Sequence, residues 1–306
     1  MGKDKFTITF WGVRGGYPMP GPTTVKYGGN TTCIEVVAGD QRIIIDCGTG
    51  LIKLGHKMMQ EHFATGRPIH ATMLLTHTHH DHTQGLPFFV PTRHPASTLH
   101  IFGPMLVTES LEDVLDRAMS PPVFPLGKEE LASQRFLEYV LTGDTLVLPE
   151  WGAPPEQYHL GQDPGEIPPD AVTIDVSHGY HHPKSGILFF RIAYHGRKVV
   201  IATDTEGYIG GDRKLIGFAR GADLLVHDAE YTEEEYLGPP LIRQGWGHST
   251  WRMATEVAEA AGVKLLALTH HNPAHNDEAL ERMLAQAQTR FHYTILAREG
   301  ETIEVK

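Results

Sequence analysis

Six consecutive residues, His77-Thr78-His79-His80-Asp81-His82, bring together four imidazoles and a carboxylate. Neutral imidazole is the preferred nitrogen ligand of zinc and related metals, and carboxylate adds a harder oxygen ligand. Four imidazoles crowded into a buried site with no metal would be costly, and a strand that only packs has no use for them. The chemistry these types suit is metal-assisted hydrolysis. A two-metal site needs more ligands than one loop supplies. The extra ones are expected at the ends of later strands, because the strand ends of a packed sheet face one edge. Three such ends carry suitable residues: His182 after a strand starting at Ala171, Asp204 after one starting at Arg197, and His270 after one starting at Lys264. His178 and His181 compete with His182, and His271 competes with His270.

The order His-x-His-x-Asp-His resembles the signature of the metallo-β-lactamase superfamily. The resemblance implies that His77 and His79 hold one metal and that Asp81 and His82 hold the second. His80 falls at a variable position and is not carried over as a ligand. The later motifs imply His182 on the first metal, Asp204 between both and His270 on the second. The implied cofactor is a pair of divalent ions, with zinc suited to the His/Asp set and manganese or iron as alternatives. Asp46-Cys47-Gly48-Thr49-Gly50 resembles the family's first motif, in which a strand-terminal Asp orients the metal loop. His248-Ser249-Thr250 resembles the His-Ser-Thr element of the tRNase Z and phosphodiesterase branch. His227-Asp228-Ala229 resembles that branch's strand-end acidic motif, with Asp where Glu is usual. Together these imply that Asp81, supported by Asp228 and His248, passes a proton to a leaving oxygen. Without the resemblance, His248 reads as a helix-start residue before a cap at Ser249, and Asp204 and Asp228 read as turn residues.

These side chains need strands to deliver them. The run 72–76 reads as a buried strand into the His cluster, and Gly85-Leu86-Pro87 reads as the turn that leaves it. Residues 6–13, 34–38 and 41–45 read as strands, followed by a helix over about 51–64. Arg14 and Asn30 lie in glycine- and proline-rich turns and read as loop structure, with a pocket role left open. Further on, 99–102 reads as a strand and 108–119 as a helix. Residues 171–177, 187–194, 197–202 and 224–226 read as strands, with a hairpin at His195-Gly196. A helix over 251–261, a strand over 264–268, a helix over about 277–288 and strands over 293–297 and 302–305 close the chain. The stretch from about 104 to 169 is rich in Pro, Gly and acidic residues and is expected to be an irregular insertion or lid. Strands mixed with helices imply an α/β fold of two packed sheets with helices outside. The resemblance makes this an αββα sandwich, one metallo-β-lactamase-like domain over 1–306.

Composition narrows the partners. The net charge of −11 argues against a broad nucleic-acid surface, which wants clustered Lys and Arg, but leaves room for a small phosphate ester. Cys33 and Cys47 are the only cysteines, too few for a disulfide framework, and read as buried thiols. The first ten residues have no apolar leader and no run nears a membrane span, so a cytoplasmic location without membrane contact is expected. The expected activity is a dinuclear phosphodiesterase acting on a small cyclic or nucleotide-like phosphodiester, in which two metals acidify a bridging water. In tRNase Z proteins a long RNA-gripping arm separates the third ligand His from the bridging Asp. Here only residues 183–203 lie between them, largely a hairpin. The runner-up is therefore a tRNase Z-like RNA 3′-processing endoribonuclease, with lactone or thioester hydrolysis as a third reading. A redox di-iron protein ranks lower, because those relatives carry Glu where His79 stands. A homodimer is left open.

Overall fold

A computed structural model of the chain describes residues 4–179, 186–208 and 210–306. Among the described residues fifteen strands form two sheets. Seven come from the first half of the chain and its C-terminus: β1 (Phe6–Gly12), β2 (Cys33–Ala38), β3 (Gln41–Ile45), β4 (Ile69–Leu74), β5 (Ser97–Pro104), β6 (Gln134–Val140) and β15 (Thr302–Glu304). They lie in the order β15-β1-β2-β3-β4-β5-β6. The second sheet holds β7 (Thr145–Leu148), β8 (Glu156–Tyr158), β9 (Val172–Gly179), β10 (Ile187–Tyr194), β11 (Arg197–Ala202), β12 (Leu224–Asp228), β13 (Leu265–Thr269) and β14 (Thr294–Leu296). Its order is β14-β13-β12-β11-β10-β9-β7-β8.

The strand sequences explain the layering. Successive side chains of a strand point to opposite faces, so a continuous apolar run marks a strand covered on both sides. In β3, Ile43 and Ile45 enter the core between the sheets, while Ile44 packs outward under helix α1 (Gly50–Thr65). In β11, Val199 and Ile201 face inward, while Val200 and Ala202 meet α4 (Arg213–Phe218) and α6 (Trp251–Ala261). The inter-sheet core joins Phe6, Phe10 and Ile34 of one sheet to Leu146, Ile174 and Phe190 of the other, all fully buried. The result is two mixed sheets flanked by helices, the αββα arrangement.

Three local differences from the sequence reading have physical causes. Residues 104–169 hold a helix, α3 (Leu111–Ala118), and strands β6, β7 and β8. β6 extends the edge of the first sheet and leaves many of its side chains solvent-facing, so Gln134–Val140 lacks the apolar run of a central strand. The N-cap of α6 is Thr250, whose hydroxyl accepts from the Met253 amide, and not Ser249. Ser249 instead donates its hydroxyl to the Thr205 carbonyl at 2.5 Å. Within the His cluster a short helix, α2 (His80–Thr83), carries Asp81 and His82.

Parallel pairing positions the site. β3, β4, β5 and β6 run parallel, as do β11, β12, β13 and β14. Parallel neighbours place their C-terminal ends on one rim, where loops can converge. β10 and β11 are joined by only His195 and Gly196, with φ of 49° and 76°, the positive values of a tight hairpin turn. Among the described residues no helix is long and apolar enough to cross a membrane.

Candidate metal centre

The chemistry-bearing side chains follow the ends of β3, β4, β11, β12 and β13. Asp46, Asp204 and His270 have φ of 61°, 51° and 59°, in the left-handed region that non-glycine residues avoid. Each such conformation costs about 1–2 kcal/mol. Their occurrence within two residues of the ends of three strands marks a rim where side-chain direction outweighs backbone comfort.

Asp81, His82, Asp204 and His270 each bring a ligand atom within 4.8 Å of the others. His82 Nε2 lies 3.3 Å from Asp81 Oδ2 and 3.3 Å from Asp204 Oδ2. His270 Nε2 lies 3.4 Å from Asp81 Oδ2 and 3.0 Å from Asp204 Oδ1. His77 Nε2 is 3.8 Å from Asp204 Oδ1, and its ring packs 4.4 Å from His79 and 4.3 Å from His82. His77 is buried and His79 is exposed. His182 and its competitor His181 lie outside the described residues.

The donor set fits a divalent metal. The Nε2 atoms of His82 and His270 are buried and make no well-aligned hydrogen bond among the described residues. Both face carboxylates that span the cluster. Burial alone would raise the pKa of Asp204, but protonated His270 and His82 outweigh it and hold the carboxyl well below its usual range. Burial likewise opposes charge on His82 and His270, yet Asp204 and Asp81 push both imidazoles well above theirs. Without a metal, protons hold this set together, and a cation with nitrogen and oxygen preference can replace them.

The histidines are oriented from behind. His82 Nδ1 donates to Asp46 Oδ2 at 2.8 Å, and Asp46 also accepts the Thr76 amide at 2.8 Å. His270 Nδ1 donates to Glu230 Oε2 at 3.0 Å, with Asp228 Oδ2 at 3.7 Å. Such carboxylates fix the tautomer that leaves Nε2 free for a metal. His248 Nδ1 donates to Asp228 Oδ2 at 2.8 Å, and its ring stacks 4.7 Å from His270. Burial would lower the His248 pKa, but Asp228 and Glu230 raise it to about 8. The Gly16 amide donates to Asp81 Oδ2 at 2.7 Å, so the loop after β1 closes over the cluster.

His271 and His178 point elsewhere. His271 Nε2 donates to the Ala297 carbonyl at 2.8 Å, and burial drives its pKa down to about 3. His178 faces Thr142 and Lys214. Arg14 is fully buried and donates to the carbonyls of Gly28, Asn272 and His275, tying the Gly15-Gly16 loop to the loop after β13. It is structural, as is Asn30, which donates to Glu299 at 2.9 Å. Sequence reasoning missed Glu230. Its signal was a second carboxylate two positions after strand-end Asp228.

The profile of the Beta-lactamase superfamily domain matches residues 41–271. Ribonuclease Z of Mycolicibacterium gilvum is 30% identical over 284 residues, covering 90% of this chain and 88% of that protein. Ribonuclease BN of Cronobacter sakazakii is 28% identical over 324 aligned positions, covering 97% and 99%. The crystal structure of human tRNase Z, short form, has a TM-score of 0.63 at 20% identity, covering 98% of this chain and 99% of that one, a likeness of fold. With the sheets, the rim and the Asp/His cluster, these likenesses make the chain a member of the metallo-β-lactamase superfamily, in its tRNase Z/phosphodiesterase branch, and a metal-dependent hydrolase.

Proposed function

We propose that the chain is a dinuclear phosphodiesterase acting on a small cyclic or nucleotide-like phosphodiester. The observation that carries the choice of substrate is the hairpin of β10 and β11. It turns at His195-Gly196, so among the described residues leading to Asp204 no extended arm leaves the sheet, which supports a small substrate over a folded RNA. The relatives named ribonuclease support phosphodiester chemistry in general. They also favour the second reading, an RNA 3′-processing endoribonuclease, because the likeness runs over almost the whole chain.

His77, His79 and His182 would hold one ion, and Asp81, His82 and His270 the other, with Asp204 between them. Zinc suits this set best. Bound metal supplies a water-derived nucleophile near neutral pH and neutralises phosphate charge. The chain's own groups do the rest. Asp228 holds His248 by Nδ1, leaving Nε2 as the atom that can hand a proton to the departing oxygen. In the metal-free chain protonated His82 and His270, working against burial, keep the Asp81 carboxyl ionised, and a bound cation would do the same. We therefore place the donated proton on His248, with Asp81 as a ligand. Glu230 and Asp46 keep the two metal-facing imidazoles in register.

The test is metal analysis joined to a substrate panel. The protein should hold about two metal equivalents and cleave bis(p-nitrophenyl) phosphate and cyclic nucleotides. His79→Ala should lose metal and turnover together. Full turnover by that variant would remove the ligand assignment. Preference for a precursor tRNA would favour the second reading, and turnover of lactones or thioesters without phosphodiester cleavage would overturn both.

A further inference from the structure

A cavity of about 820 Å³ has Glu206, Tyr208, Tyr236, Leu237, Arg252 and Met253 in its wall, Glu206 standing two residues after Asp204. Two segments lead from the cluster into it. Asp204 is followed by Thr205 and Glu206, and His248 is preceded by Gly245-Trp246-Gly247. Glu206 joins the two. It accepts the amides of Gly245 at 2.6 Å and Gly247 at 3.0 Å, and the hydroxyl of Tyr236. The inner wall of the cavity is thus tied to the same loops that carry Asp204 and His248. Its volume lies in the range of small-molecule sites.

The wall selects by chemistry. Tyr208 and Leu237, 46% and 56% exposed, line the cavity. With Met253 they bring aromatic and apolar side chains to it, over the buried ring of Tyr236. Among the described lining residues the charged groups are Glu206, Glu233 and Glu256, the last also 3.6 Å from Arg290, against a single guanidinium. That guanidinium, on Arg252, lies 3.3 Å from Glu256 and 3.7 Å from Glu233, so its charge is already answered. A phosphate entering here would find no unpaired cation among the described lining residues. An uncharged ring bearing N–H or O–H donors would meet stacking faces and carboxylate acceptors.

The geometry points to this cavity as the seat of the nucleoside portion of the substrate, with the phosphodiester at the Asp/His cluster. This rests on the phosphodiesterase reading and deepens it. The volume is ample for a nucleoside.

The experiment measures adenosine and uridine binding by equilibrium dialysis, with the full chain both zinc-loaded and chelated. Tyr208→Ala removes a wall, and Leu237→Trp fills the cavity from an exposed position that leaves the core intact. Saturable nucleoside binding is expected in both metal states, weakened about ten-fold by either substitution, the loss typical of one stacking contact. In the loaded enzyme KM for adenosine 2′,3′-cyclic phosphate should rise by about the same factor, with kcat within about two-fold. Cyclic-nucleotide cleavage with no nucleoside binding and unchanged KM in both variants would overturn the cavity assignment and leave the phosphodiesterase reading standing. Tyr208-dependent nucleoside binding in a protein that cleaves no phosphodiester would do the reverse.

Discussion

Gly15 is the position where one added methyl group should damage the metal centre without replacing any ligand. A Cβ built there would lie 2.2 Å from His270 Cε1 and 2.3 Å from His270 Nδ1. Carbon contacts settle at about 3.5–4.0 Å, so Gly15→Ala must open the gap by roughly 1.3 Å. If the loop yields, the 2.7 Å bond from the Gly16 amide to Asp81 stretches past hydrogen-bond range. If the ring yields, the 3.0 Å bond from His270 Nδ1 to Glu230 goes instead. Either loss removes a hydrogen bond to a charged group, worth about 1.5–3 kcal/mol. That corresponds to about a ten- to hundred-fold fall in metal affinity, the same size as the usual effect of losing a ligand's supporting partner. Competition for zinc against a chromophoric chelator reads it directly, with melting of the chelated protein separating lost affinity from lost fold. Zinc affinity within about two-fold of wild type would refute the account of the Gly15-Gly16 loop as a lid on Asp81 and His270.

Glu230→Gln keeps the size of the side chain and removes its charge, so zinc affinity should fall about ten-fold, measured by the same competition; an unchanged value would show that Glu230 does not orient His270. His248→Ala should keep its full metal content while kcat drops by about 10²–10⁴, and parallel loss of metal would remove His248 from the proton-donor role. Metal uptake should release protons. Burial opposes charge on His82 and His270, but Asp204 and Asp81 raise both pKa values, so the metal-free protein holds these protons through neutral pH. That stabilisation is complete below the unfolded value of about 6.5 and fades as pH rises through the raised folded values, so the chelated protein should melt lower as the medium turns alkaline. Calorimetric zinc titrations in buffers of different ionisation enthalpy should reveal the released protons, and identical heats in all buffers would contradict this coupling.

The parts of the molecule legible in the sequence are those where local pattern and burial agree. Ile43, Ile44 and Ile45 are covered on both faces, and the run shows it. The ends of β10, β11 and α6 coincide with breaks in pattern at Gly186, His195-Gly196 and Gly262. Gln134–Val140 is not legible because an edge strand beside solvent needs no continuous apolar face. Asp81 and His82 stand out because several ligand types share six residues, and Asp204 and His270 because each closely follows an apolar strand. Glu230 is hidden, since a residue past a strand end reads as a turn until His270 arrives opposite it. The cavity beside Glu206 is hidden for the same reason. Its walls come from separate segments that meet only when the loop before His248 folds back. His182 falls in 180–185, outside the described residues.

The cluster draws Asp81 and His82 from the first sheet and Asp204 and His270 from the second. On a ribosome the emerging N-terminal half can therefore present only part of the coordination set, and high-affinity capture must wait until the two halves have docked. Long-range pairings of this kind form late and slowly. Metal uptake during refolding would then be a clock for closure of the sandwich, and where metal is scarce the last step of maturation would be set by ion supply rather than by the chain.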